Sequence, residues 1–477
     1  MPDMAGLTVI RPARVALSAG SMLMCLLAAV SRADEAMPPN PYPKVLRYEE
    51  DYRYLADETK RSDFWDPIKF IPLTPSKESY LTLGGEWRER YENFDPPAFG
   101  LPGIDHDEFV LHRLLLSGDL HLGDEFRTFV QLASHQESGR KGGPLPTDKD
   151  DLDLQQGFLE TKLDVADTTS IGLRAGRQEI ILGSGRLVTI REGTNIRRSF
   201  DGARAMLRSA DYNLDALWAR TVEINEGVFD DQPNSDEALW GLYGVLPVPG
   251  IEGGHLDLYY LGLEREPAFY FAGTENERRH SIGARFWGNA GAFDYNLEAL
   301  YQFGDFGDND IGAWGASSDV GFTLVDVPWQ PRIGLKANAE SGDDDLTDGH
   351  LGTFNPLFPN HAYFSEAALA APMNGIDIHP NLTLHPADNL TLRLGWDFFW
   401  REDTDDGIYT ASLSPIPGTA GGDDRYIGNL ITIHGQWRPD RHLEFNADYT
   451  HFDVGGTVKQ AGGTDVDFVM LSAAYRF

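Results

Sequence analysis

The sequence predicts an all-β protein, a transmembrane antiparallel β-barrel of eighteen strands with short periplasmic turns and long outer loops. Three observations predict it. Strand-length segments alternate polar and apolar residues, the links between them alternate short and long, and the chain closes on an apolar-alternating strand ending at Phe477. Beyond the first 33 residues no apolar run approaches the roughly 18 residues of a membrane-crossing helix, so strands must do the crossing.

The alternation is strict where it is clearest. Arg332 to Glu340 reads Arg-Ile-Gly-Leu-Lys-Ala-Asn-Ala-Glu. Leu390, Leu392, Leu394, Trp396, Phe398 and Trp400 alternate with Thr391, Arg393, Gly395, Asp397, Phe399 and Arg401. Tyr295 to Phe303 and Leu443 to Thr450 behave alike. Period two places one face on lipid and the other on water. Open strand edges are not tolerated in lipid, so the sheet must close.

Eighteen segments are expected to begin near Tyr80, Phe109, Phe126, Leu154, Thr169, Gly202, Asn213, Ala238, His255, Arg279, Phe293, Ala313, Gln330, Gly375, Leu390, Asn429, Leu443 and Asp467. Short links such as Gly123 to Glu125 and Arg438 to His442 fall between longer ones. The longer set includes Glu179 to Asp201, Arg265 to Arg278, Gly304 to Gly312, Gly342 to Asn374 and Asp403 to Gly428. The even count puts both termini on the periplasmic side. Counting back from Phe477, Tyr475, Ala473, Leu471 and Val469 share a face, the pattern that barrel-assembly machinery is expected to read.

The N-terminus reads as an export signal, residues 1–33. Arg11 and Arg14 precede an apolar run from Val15 to Val30, and Ser31-Arg32-Ala33 offers a cleavage site before Asp34. The sole cysteine, Cys25, lies in that segment, so no thiol or cysteine metal site is expected in residues 34–477. Residues 34–79 form an extended periplasmic stretch opened by Pro38, Pro39, Pro41 and Pro43. There Phe64-Trp65 and Phe70-Ile71 are placed to tuck into the barrel mouth. Residues 80–477 are the barrel.

Charge narrows the function. The formal net charge is −34, and removing three Arg and one Asp with residues 1–33 leaves −36. That excess argues against nucleic acid as a partner. Acids concentrate in outer-loop runs: Asp308 to Asp310, Asp343-Asp344-Asp345, Asp403 to Asp406 and Asp423-Asp424. These are solvated loops beside lipopolysaccharide, and none has the spacing of a calcium loop. With leucines and aromatics on lipid, Arg88, Arg90, Arg113, Arg127, Arg174, Arg204, Arg208, Arg285, Arg332, Lys336 and Arg393 face the lumen. Glu86, Asp119, Glu160, Glu298, Glu340, Asp397 and Asp448 face it too, while Glu89 falls on the outward parity. Two readings follow: a basic stripe that attracts anions, or a lumen of mutually paired charges that stiffens the barrel.

Two stretches carry a family resemblance. One runs Gly176-Arg177-Gln178, Gly183, Arg186-Leu187, Asn195, Arg198, Phe200-Asp201 and Arg204. The other is Gly352-Thr353-Phe354-Asn355-Pro356-Leu357-Phe358-Pro359 with Tyr363. Tyr48 to Tyr52 and Gly84 to Arg88 add a weaker match. The chain resembles the alginate-export family of outer-membrane proteins. That resemblance implies an eighteen-stranded barrel with a basic pore for an anionic uronate polymer, or for smaller solutes. It also implies that Arg177, Arg186, Arg198, Asp201 and Arg204 serve anion binding or pin the loop. Leu182, Ser184 and Thr194 depart from the family pattern, and the short Arg438 to His442 turn departs from a gated exporter. The expectation is therefore an anion-passing porin without cofactor or metal. A structural or adhesive barrel is the alternative. An enzyme is not expected, since His280-Ser281 and His434 form no Ser-His-acid set by spacing.

Overall fold

A computed structural model describes residues 42–477, in which each barrel strand pairs antiparallel with the next. The expected leader and Cys25 lie outside the described residues. The wall consists of β1 Tyr80–Asp95, β2 Asp107–Leu122, β3 Phe126–Ser138, β4 Asp150–Ala166, β5 Thr169–Gln178 and β6 Phe200–Ser209. It continues through β7 Asn213–Glu223, β8 Gln232–Pro247, β9 Gly254–Tyr270, β10 Gly273–Ala290, β11 Phe293–Phe306 and β12 Asn309–Thr323. The circuit ends with β13 Arg332–Glu340, β14 Gly375–Ala387, β15 Leu390–Arg401, β16 Tyr426–Trp437, β17 Leu443–Val454 and β18 Val466–Arg476. β18 returns to β1, from Glu86 opposite Arg476 to Asp95 opposite Asp467, and the sheet closes.

Alternation sorts the side chains. Trp87, Leu114, Trp218, Ile282, Trp314, Ile333 and Trp396 are exposed on the outer wall, whereas Arg88, Arg113, Arg285 and Asp397 are buried inside. An arginine on the lipid face near mid-membrane costs roughly 2–4 kcal/mol, which drives the charges inward. Glu89 does face outward, and local partners satisfy it: Trp87 Nε1 donates to it at 2.6 Å and His112 Nδ1 lies at 2.5 Å.

Strands entering from the short-turn end begin where the alternation placed them at Tyr80, Phe126, Thr169, Asn213, Phe293, Leu390 and Leu443. At the other end the strands run further. β8 starts at Gln232 rather than Ala238, and β10 at Gly273 rather than Arg279. Two expected long links are consequently not loops. β9 and β10 stay paired up to a turn at Phe271-Ala272, and β11 and β12 up to Gly307-Asp308. Beyond the apolar band both faces of a ribbon are hydrated, so the hydropathy signal stops while backbone pairing continues.

Two long links leave the wall and fill the interior: residues 179–199 between β5 and β6, and 341–374 between β13 and β14. They meet at a parallel bridge between Val188 and Phe358. Thr189 N donates to Phe358 O at 3.1 Å, and Phe358 N donates to Leu187 O at 2.8 Å. Leu187, Val188, Phe354, Leu357 and Phe358 pack on inward Phe200, Leu217, Leu239 and Leu261. Fully burying such a side chain is worth about 1.5–3 kcal/mol, so the joined loops are anchored in the lumen.

Residues 42–79 fold as short turns and one helical turn, α1 Asp66–Lys69, against the short-turn end. Tyr48 packs edge-on between Phe129 and Phe158 at 6.0 and 5.5 Å. Its hydroxyl donates to Glu179 O at 2.9 Å. Phe70 stacks on Tyr80 at 4.7 Å and Trp65 on Phe477 at 4.3 Å, while Phe64 stays exposed. Arg47 Nη2 donates to the Phe477 carbonyl at 2.6 Å.

Candidate functional site

The lumen is where chemistry can act on a solute, and the two motif stretches build its contents. Asn195, fully buried, donates from Nδ2 to the carbonyls of His112, Gln136 and Asp148 at 3.1, 3.1 and 2.7 Å. It thereby ties the first loop to β2, β3 and the β3–β4 link. Asn355 donates to Tyr270 Oη at 2.8 Å and accepts from Leu357 N at 2.8 Å. Gly183 has a positive φ of +55°, and a Cβ there would lie 2.1 Å from Tyr243 Oη. Only glycine meets both demands without strain. Much of the motif is therefore scaffold for two loops inside a barrel.

Most of the lumen-facing arginines meet carboxylates. Arg113 touches Glu86 at 2.8 Å and Glu192 at 2.5 Å. Arg127 pairs with Asp119 at 2.5 Å, Arg174 with Glu160 at 2.5 Å, and Arg90 with Glu92 and Glu366 at 2.5 and 2.9 Å. Arg177 holds Asp201 by two 3.0 Å hydrogen bonds. Asp215 receives Arg204 at 2.9 Å and Arg208 at 2.7 Å. Arg285 pairs with Asp257 at 2.8 Å, and Arg332 lies between Asp294 and Asp319 at 2.5 and 3.0 Å. Arg186 reaches Glu298 at 3.4 Å. Arg88 donates chiefly to the carbonyls of Glu192 and Thr194 at 3.0 and 2.9 Å.

A smaller set makes weaker carboxylate contacts or none, and Lys336 stands near enough to Asp377 and Asp397 to feel their charge. Among the described residues, Lys336 and Arg393 make neither a hydrogen bond nor an ion pair, and Arg393 is exposed to the lumen. Arg198 donates only to the carbonyls of Thr189 and Pro359, at 3.3 and 3.4 Å, one in each inner loop, over the Phe358 ring. Arg191, which the residue pattern did not single out, has a buried Nε without a hydrogen-bond partner. Arg265, also unmarked by the pattern, carries Glu237 at 2.7 Å. Its guanidinium stands close enough to Arg198 for their charges to repel.

Arg191, Arg198, Arg265, Glu237 and His361 line one cavity of about 770 Å³. Three guanidiniums there crowd around Glu237, and Arg197, Asp150, Asp153, Glu223 and Asp231 line the same cavity. Burial pulls Arg191 down to about 10, and burial followed by the charge of Arg191 pulls Arg198 below its ordinary value. Both stay charged at neutral pH. Burial, Arg191 and Arg90 push His361 down to about 4, so it is neutral there. A carboxylate entering the cavity would relieve this like-charge crowding through charge-assisted hydrogen bonds.

The residues considered for hydrolysis do not converge. His280 lies among the aromatic rings of Trp240, Tyr260 and Phe303, while Ser281 is buried and accepts from Gln302 at 3.1 Å. His434 faces Asp448 at 3.3 Å without a nucleophile.

An apolar outer wall, a closed eighteen-strand sheet and a charged lumen holding folded loops define an outer-membrane channel barrel. The chain belongs to the alginate export family, whose sequence model matches residues 79–472. No curated protein is matched by sequence. Among solved structures, OccK5 (OpdH) of Pseudomonas aeruginosa superposes with a TM-score of 0.54 at 14% identity, over 83% of this chain and 98% of that one. A BenF-like porin from Pseudomonas fluorescens Pf-5 gives 0.55 at 11%, over 83% and 98%. Pseudomonas aeruginosa OccK2 (OpdF), in complex with glucuronate, gives 0.54 at 13%, over 83% and 98%. At these identities the likeness is one of fold.

Proposed function

We propose that this barrel passes anionic solutes across the outer membrane, and that uronates are the substrate class. The carrying observation is the cluster of Arg191, Arg198 and Arg265 around Glu237, on a cavity wall that Asp150, Asp153, Glu223 and Asp231 also line. Arg393, which meets no carboxylate, and Lys336, which makes no ion pair, carry positive charge further along the wall. Positive potential focused in a low-dielectric channel raises the local concentration of anions. The glucuronate bound to OccK2 shows that a barrel of this fold takes a uronate. Two joined loops fill the interior and the β16–β17 turn, residues 438–442, is short. Both features favour small uronates over a long polymer. The acidic outer loops would sit beside lipopolysaccharide, and β18 would engage the barrel-assembly machinery.

Planar-bilayer reversal potentials under a KCl gradient test this. The wild type should prefer chloride, and Arg191→Gln and the pair Lys336→Gln with Arg393→Gln should each reduce that preference. Liposomes should swell faster with glucuronate oligomers than with neutral sugars of equal size. Cation preference, or variants indistinguishable from wild type, would sink the reading. A silent bilayer would favour a structural barrel, which the filled lumen also permits.

A further inference from the structure

At the outer rim, the start of β4 lies beside the β7–β8 link. Leu152 forms a parallel bridge to Val228, and Phe229 N donates to Leu152 O at 3.0 Å. This pairing gathers Asp153, Asp230 and Asp231, whose nearest carboxylate oxygens all lie within 4.8 Å of one another. Oxygens bound to one calcium ion sit about 2.3–2.6 Å from it, so no two can be more than about 5 Å apart. The trio meets that limit.

A second observation is independent of the trio. Asp150 is almost fully buried on the wall of the same cavity as Asp153 and Asp231, and its Oδ1 has no hydrogen-bond partner. Among the described residues the one basic group within 4 Å of it is His135, whose Nδ1 lies at 3.8 Å and has no hydrogen bond. A buried carboxylate left bare costs several kcal/mol unless a cation or proton compensates it. The positive charge at hand is small. Arg177, already committed to Asp201, reaches Asp153 Oδ1 only at 3.5 Å, and it also donates to Asp231 O at 3.3 Å. Other contacts preorganise the oxygens. Asp231 N donates to Asp153 Oδ2 at 3.1 Å, and Asn225 N donates to Asp231 Oδ1 at 2.7 Å. Asp230 is exposed and open to solvent.

We infer that Asp153, Asp230 and Asp231, with the bare carboxylate of Asp150 on the same cavity wall, form a site for a hard divalent cation, calcium before magnesium, that clamps the start of β4 to the β7–β8 link. All-oxygen, carboxylate-rich and irregular ligation suits calcium, whereas magnesium demands near-ideal octahedra. None of the acidic runs at 308–310, 343–345, 403–406 and 423–424 contributes. The ion would also cancel negative charge on the wall of the arginine-lined cavity, but the site stands whether or not that cavity passes anions.

The test is equilibrium binding of calcium alone to the folded full-length barrel in detergent micelles. Wild type should take up one calcium per chain saturably, with a Kd on the order of 0.1–1 mM as in extracellular modules. Asp230→Asn with Asp231→Asn should weaken binding at least tenfold while leaving heat-modifiable migration, the mark of a folded barrel, intact. Both Asn side chains keep the acceptor oxygen, so the local turns persist. Asp344→Asn with Asp345→Asn, in a different outer loop, should change nothing. The assignment fails if wild type shows no saturable uptake. It fails equally if the Asp230/Asp231 variant binds as wild type, or if the Asp344/Asp345 variant loses as much.

Discussion

Replacing Glu192 by Gln removes one of two carboxylates, with Glu86, that each meet three arginines in the lumen. The carboxylate takes Arg113 Nη2 at 2.5 Å, is hydrogen-bonded by Arg197 Nε, and lies 4.0 Å from Arg88. Arg113 and Arg197 are fully buried, and Gln would leave them short of charge compensation. Removing one member of an enclosed ion pair costs roughly 3–5 kcal/mol. The Glu192 side chain is 36% exposed, so water replaces part of the lost interaction. We expect about half that cost, ~1.5–2.5 kcal/mol. Urea unfolding in detergent, followed by heat-modifiable migration, reads this as a lower midpoint.

The pH profile supplies a sharper check. Burial pushes the Glu192 carboxyl up, but Arg113 and Arg197 outweigh it and hold it below the ordinary 4.5, near 2. A depressed carboxylate contributes stability above its unfolded value and loses it as pH falls through the folded one. The difference between wild type and Glu192→Gln should therefore be full above about pH 4.5 and shrink towards pH 2. The freed guanidinium charge should also raise anion preference in bilayers. Equal midpoints, or a gap that persists unchanged to pH 2, would refute the account of this network.

Two further outcomes follow from the same geometry. Gly183→Ala should destabilise by at least ~1 kcal/mol from its left-handed backbone alone. The clash with Tyr243 Oη adds to this, so a midpoint equal to wild type would show that the loop is not held where it lies. Deleting residues 34–75 removes Tyr48 from between Phe129 and Phe158 and should raise single-channel conductance. Unchanged conductance would end the idea that this segment obstructs the periplasmic mouth.

The barrel was legible because its causes are local. Period-two alternation put Trp396 on lipid and Asp397 inside from neighbouring residues alone, and turn residues marked the short links sharply. The overshoot of β8 and β10 was not legible, since paired strands above the membrane carry no hydropathy contrast. The motif around Asn195 and Asn355 was visible, but its task was not. Three carbonyls on different segments converge on Asn195 only after the loop has entered the lumen.

The sequence by itself therefore determined which residues face the lumen, because facing is decided one residue at a time. It could not say which of those charges survive as charge. Arg332 and Arg393 read alike along the chain, yet Arg332 lies between Asp294 and Asp319 while Arg393 meets no carboxylate. The same holds at the rim, where Asp153 and Asp231 are 78 positions apart in sequence but joined by a hydrogen bond. Coulomb energy depends on distances of a few ångströms between groups far apart in sequence. Only the closed sheet and its infolded loops set those distances.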